Sequence, residues 1–307
     1  MARASLLRKF RLRIESEDPL YYGLKKLKIK GKDLQELPDV IFSLQELEVL
    51  DLSPERESCL DYKLYEVPRI IGRLVNIRVL MLDTNELKEL PAEIALLQQL
   101  ERLALSNNML TSLPSGFQNL KNLKSLHAAN NDFHEFPTQL VRLQNLEFLD
   151  LSDNHIKTLP KGIGKMTSLE SLLLFINELT RLPESFCDLV ELRCLWLGNN
   201  RIRQLPKSFG KLTKLDWGYR YTSSALNGNP MIHPPIEICR MGPEAIDRYM
   251  TSLGGSDSKS PTNNSKKSPI YKPPTNKSPT NKSPSNVSNK SSSTVSKGSK
   301  GGAVNGY

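Results

Sequence analysis

The chain of 307 residues carries 42 basic and 33 acidic side chains, a formal net charge of +9. The excess sits at the ends: residues 1–30 hold nine Lys/Arg against three acids, residues 253–307 hold nine Lys against Asp257 alone, and residues 31–252 hold 24 basic against 29 acidic side chains. A mildly acidic body argues against a specific nucleic-acid groove, no run of about 18 apolar residues offers a membrane span, and four scattered cysteines point to a reducing compartment rather than a disulfide framework.

In residues 3–17, Leu6, Leu7, Phe10 and Ile14 recur at helical spacing, which predicts an N-terminal capping helix within 1–20. The basic opening has no acid before Glu15 and also has the composition of a mitochondrial transit peptide; it has no apolar core for a secretory signal. A first periodic segment follows at Leu24, Leu27, Ile29, Leu34, Leu37-Pro38, Ile41 and Leu44, with Lys32 where later copies place asparagine. A second begins at Leu47 and resumes at Leu64, with about seven extra residues inside PERESCLDYK; both halves of the pattern survive, so the insertion should bulge as a loop. Ile77 to Gln99 returns to a 23-residue period, and five uninterrupted copies run from Leu100.

The pattern stumbles after Leu215. Leu226, Asn229, Met231, Pro235 and Ile238 recover the register after an insertion around GYRYTS, with Ser224 at a core position. A terminal helix is predicted over 242–253, where Pro243 suits the first turn. Its apolar stripe of Ala245, Ile246, Tyr249, Met250 and Leu253 either seals the core or docks a partner. Residues 254–307 collapse into Ser, Lys, Asn, Pro and Gly, too polar to offset their ordering entropy, and are expected to be disordered. Four Lys-Ser-Pro units make Ser260, Ser268, Ser278 and Ser283 candidate phosphorylation sites. The tail reads either as a phosphate-switched tether for an acidic surface or as a solvated linker.

The repeated unit, L-x-x-L-x-L-x-x-N-x-L-x-x-L-P, resembles the leucine-rich repeat family, specifically its 23-residue intracellular type, which includes Ras-suppressor-like and Scribble-like proteins. The resemblance implies an α/β solenoid, a curved stack of about nine repeats over 21–241 with the last degenerate. A parallel sheet should line the concave face, with short helical or irregular segments on the convex side. It further implies a cytoplasmic scaffold or adaptor, expected to be monomeric, that binds a protein partner on the concave face in small-GTPase or other intracellular signalling. The alternative is a cytoskeletal protein in which the basic tail provides the main binding and the solenoid is a spacer.

Asn85, Asn108, Asn131, Asn154, Asn177, Asn200 and Asn229 fall where the chain leaves each strand, placed to bond backbone groups of that turn and the next one. Functional information lies between the leucines. The first repeat offers Lys26, Lys28 and Lys30, whereas later repeats offer Phe148, Asp150, Leu173, Phe175, Ile176, Cys194 and Trp196, with Trp217 at the start of the cap. Strands lie about 4.8 Å apart, so Phe148, Leu173, Phe175, Trp196 and Trp217 should form one apolar patch. Asp150 and Asp153 would favour a partner with a basic rim. Large apolar groups on a polar face mark a contact, unless Tyr219 and Tyr221 fold back and cover them. No phosphate-binding glycine loop, metal-ligand spacing or cofactor motif is found. His127 and Asp150 share a column near Ser125 and Ser152, but a flat sheet offers no oxyanion donors. A non-enzymatic role without cofactors or metals is therefore expected, with His127 and Asp150 as a polar surface pair.

Overall fold

A computed structural model describes residues 2–55, 62–217 and 226–254. The chain divides into two units, Met1–Lys259 and Ser260–Tyr307. Tyr219, Tyr221, Ser224 and the four tail serines lie outside the described residues.

Each L-x-L core forms a three-residue strand. The eight strands are β1 (Lys26–Lys28), β2 (Val49–Asp51), β3 (Val79–Met81), β4 (Arg102–Ala104), β5 (Ser125–His127), β6 (Phe148–Asp150), β7 (Ser171–Leu173) and β8 (Cys194–Trp196). They pair parallel in chain order as one sheet. Because the repeats are in phase, the central leucines stand side by side, Leu126 beside Leu149 and Leu172 beside Leu195. A one-residue slip would put them on the solvent face. The return half of each repeat carries a single 3-10 turn, as at Thr138–Arg142 and Glu184–Asp188. Pro137 and Pro183 hold extended backbone just ahead of those turns, where a fixed φ and a missing N–H cost nothing. The inward Leu, Ile and Phe side chains form one continuous core, each burial contributing roughly 1.5–3 kcal/mol.

The asparagines are the buried polar counterpart of that core. Asn108 Nδ2 donates to Leu105 O of its own turn and to Leu82 O of the preceding repeat, both at 2.9 Å, while its Oδ1 accepts from Leu87 N at 3.1 Å. The column thus reaches back to the preceding repeat, not forward to the next. That direction explains Lys32: the first repeat has no earlier turn to satisfy. Two members also span the insertions. Asn85 holds Leu52 O and Leu64 N on either side of one, and Asn229 holds Leu197 O and Ile202 N across the other.

Both ends of the stack are closed. The N-terminal helix occupies Ala2–Arg11 and buries Phe10 completely; the chain from there to Leu20 is turn and bridge rather than helix. Glu15 pairs antiparallel with Lys26 through two backbone hydrogen bonds of 2.9 and 2.8 Å, which occupies the free edge of β1 that would otherwise invite another strand. At the far end, the helix Pro243–Gly254 buries Ala245 and Ile246. A Cβ at Gly210 would stand 2.4 Å from the Cβ of Asp247, so only glycine lets the last 3-10 turn approach this helix.

Candidate functional site: the concave face

Strand register brings the solvent-facing positions into columns. One runs His127, Asp150, Leu173, Trp196; its neighbour runs Ser125, Phe148, Ser171, Cys194. Phe148 lies against His127 with ring centroids 4.5 Å apart. Leu173, Phe175 and Trp196 are half-buried in adjoining repeats, and Ile176 beside them is 42% exposed. Burial and the Arg102 charge hold the His127 imidazole below its ordinary pKa, so the ring facing Phe148 favours its neutral form. Burial raises the Cys194 thiol, which opposes thiolate formation in this apolar setting.

Trp217 does not join the patch. Its indole N–H donates to Cys239 O at 2.9 Å, and its ring meets Phe209 edge-on with centroids 6.4 Å apart. It has become part of the C-terminal seal, because its repeat is the one that degenerates into the cap. The expected His127–Asp150 pair is also not formed directly. His127 Nε2 lies 3.0 Å from Ser125 Oγ, while Asp150 Oδ1 accepts from Ser152 N at 2.9 Å. The short turn after the strand supplies Asp150 with a nearer donor than the imidazole.

The basic row of the first repeat is likewise altered. Lys26 is buried beneath the N-terminal segment and pairs with Asp18, Lys28 Nζ lies 2.9 Å from Asp51, and Lys30 Nζ lies 2.6 Å from Glu55. Asp83, one repeat further on, accepts from Ser106 N at 2.7 Å, but burial pushes its carboxyl up to about 6. The cations of the first repeat are thus neutralised within the face, and its large aromatic side chains, Phe148, Phe175 and Trp196, lie in the C-terminal half.

Backbone geometry adds a feature that residue type alone does not reveal. The residue before each column asparagine has positive φ: Thr84, Asn107, Asn130, Asp153, Ile176 and Asn199 between 50° and 61°, and Gly228 at 79°. Asn and Asp tolerate this region, whereas a β-branched residue is strained there. Asn130 Nδ2 donates to Asn107 Oδ1 at 2.8 Å, and Asn107 Nδ2 to Thr84 Oγ1 at 3.3 Å. Ile176 makes no such bond and instead sets an apolar side chain beside Phe175. Sequence position already marks Ile176 as a concave-face candidate; its positive φ is the property the structure adds.

The family described as leucine-rich repeat region matches residues 57–147 and 137–217. The chain belongs to the leucine-rich repeat family. Among solved structures, this leucine-rich repeat chain is similar to a leucine-rich repeat protein of Leptospira interrogans, at 30% identity and a TM-score of 0.61 over 71% of this chain and 58% of that one. It is also similar to the leucine-rich repeat ectodomain of the membrane receptor kinase GASSHO1/SCHENGEN3 of Arabidopsis thaliana, solved in complex with Casparian strip integrity factor 2. That match has 27% identity and a TM-score of 0.52, and covers 58% of this chain and 21% of the receptor chain. The leucine-rich repeat chain described here therefore spans less than two thirds of either relative. Among the described residues no helix is long and apolar enough to cross a membrane, and no group of His, Cys, Asp and Glu is arranged to hold a metal ion.

Proposed function

We propose that the protein is a non-enzymatic, monomeric adaptor that holds a protein partner on the C-terminal half of its concave face. Phe148, Leu173, Phe175, Ile176 and Trp196 are the anchors, and Asp150 and Asp153 favour a basic rim on the partner. The observation that carries this reading is the alignment of Leu173 with Trp196, flanked by Phe175, on a sheet face whose inward leucines already supply the core. Apolar groups in such positions contribute more to a contact than to folding, and Trp is enriched among binding hot spots. The Arabidopsis relative's protein complex supports the same use of the fold. A cytoplasmic setting accords with Cys187 and Cys239, which are buried as free thiols. Small-GTPase or related signalling is the pathway class we infer from the 23-residue repeat type.

Affinity capture with three baits tests this reading: the full chain, the full chain carrying Phe175→Asp and Trp196→Asp, and a chain ending at Leu253. Loss of partners with the double substitution alone, at an unchanged melting temperature, is the expected result. Loss on truncation alone would refute the concave site and leave the tail as the binding element.

A further inference from the structure

The net negative charge of the body conceals a local basic trough. It lies on the flank where each repeat leaves its asparagine turn and runs toward its 3-10 turn. Three adjoining cavities of about 450, 790 and 690 Å³ share Thr158, and the latter two also share Arg181 and Gln204. The floor consists of the nearly buried Leu159, Leu182 and Leu205 with Pro183 and Pro206. Lys157, Lys161, Arg181 and Arg203 stand exposed along the walls.

None of these four cations makes an ion pair among the described residues, although neighbouring ones do. Arg193 pairs with Glu170, Arg201 with Glu178 and Lys214 with Glu191. Two carboxylates line the trough, Glu135 in the cavity of Lys157 and Glu184 in that of Lys161 and Arg181; Glu184 Oε1 accepts from Lys207 N at 3.0 Å. The walls are also tied together: Thr180 N donates to Lys157 O, and His233 N donates to Arg203 O. The site is thus preformed and electropositive, with four cations against two carboxylates.

Spacing and lining indicate the occupant. Lys157 and Arg203 occupy the same position two repeats apart, about 10 Å at the spacing of stacked strands, which is about three residues of extended chain. Phe136, in the cavity of Lys157, is buried, and no other Phe, Tyr or Trp lines the three cavities to stack a nucleobase, whereas the leucine–proline floor suits aliphatic side chains. We propose that this trough binds an extended acidic peptide segment of another protein. Anionic side chains three positions apart, Asp, Glu or phosphoserine, share one face of a polyproline-II-like segment and meet Lys157 and Arg203, with Arg181 between them. This surface is separate from the concave patch, so one chain can hold two partners.

The test uses the full chain and three fluorescein-labelled 12-residue peptides of matched sequence, carrying Glu, phosphoserine or Gln at every third position, read by fluorescence anisotropy. Saturable binding of an acidic peptide, absent for the Gln peptide and weakened by added salt, is expected. Arg181→Gln with Arg203→Gln should raise Kd at least tenfold. Lys165→Gln with Lys211→Gln, on 3-10 turns outside the trough, should leave it unchanged. Tighter binding of the phosphoserine peptide identifies phosphate as the preferred group, and parity with Glu identifies carboxylate. The proposal is overturned if neither acidic peptide saturates, if both double variants lose binding equally, or if a single-stranded RNA of equal charge binds more tightly than either peptide.

Discussion

Replacing Asn154 by Ala separates the buried amide column from surface hydrogen bonding. Asn154 accepts from Phe133 N at 3.1 Å and donates to Ala128 O, Leu151 O and Ser152 O, each at 3.1 Å. The residue is nearly buried, and Phe133 is wholly so. Truncation leaves the Phe133 N–H unsatisfied, whereas Ala128 O and Leu151 O keep the Nδ2 donors of Asn131 and Asn177. One unsatisfied buried group costs about 1–3 kcal/mol and each lost hydrogen bond to a still-paired carbonyl about 0.5 kcal/mol, so a loss of about 2–4 kcal/mol is expected. The control is Asn145→Ala, whose exposed amide donates once, to Lys121 O at 2.9 Å; its loss should stay within about 0.5 kcal/mol. Urea unfolding followed by far-UV circular dichroism gives both values, and the slope m reports whether the stack still melts as one unit. If Asn154→Ala cost no more than the Asn145 control, the column would be ornamental and the account of repeat coupling wrong.

Two further substitutions probe strain and charge. Ile176→Asn should raise stability by about 1 kcal/mol by placing a residue that tolerates positive φ at 53°, while weakening partner binding; stability that falls along with binding would contradict the strain argument. Asp83 has a folded-state pKa of about 6, above the ordinary 3.8, so the native state holds this proton more tightly than the unfolded chain. The linked stability is fully present below about pH 4 and is lost as pH rises through 6. Asp83→Asn should therefore be more stable than the parent near neutral pH, by about 2–3 kcal/mol at most, and show a flatter profile between pH 4 and 7 in denaturant titrations. A parent profile already flat over that range would refute the assignment.

The repeat was legible because most copies state the same period: leucines at fixed spacing put the strands in register, and asparagines mark every turn from the third repeat onward. What escaped was whatever depended on departures from that period. Trp217 reads as a concave residue by counting, but its repeat loses its strand and turns the indole onto Cys239. Lys26 reads as exposed by alternation, yet the segment containing Asp18 and Tyr21 covers it. The basic trough eluded a charge balance of the whole body, since Lys157, Arg181 and Arg203 lie 22 to 24 residues apart and converge only when repeats stack. Ile176 was visible as an apolar neighbour of Phe175, but its strain is a property of φ, which residue type does not state.

Asn85 has a consequence for how this protein can change. Its amide grips Leu52 O at 3.0 Å and Leu64 N at 2.8 Å, so the stack is fastened at the root of the inserted segment whatever that segment contains. Chain-closure entropy grows only with the logarithm of length, about 0.6 kcal/mol per doubling. The site is therefore a natural port: a longer or foreign sequence spliced between Leu52 and Leu64 would be displayed without re-registering a strand.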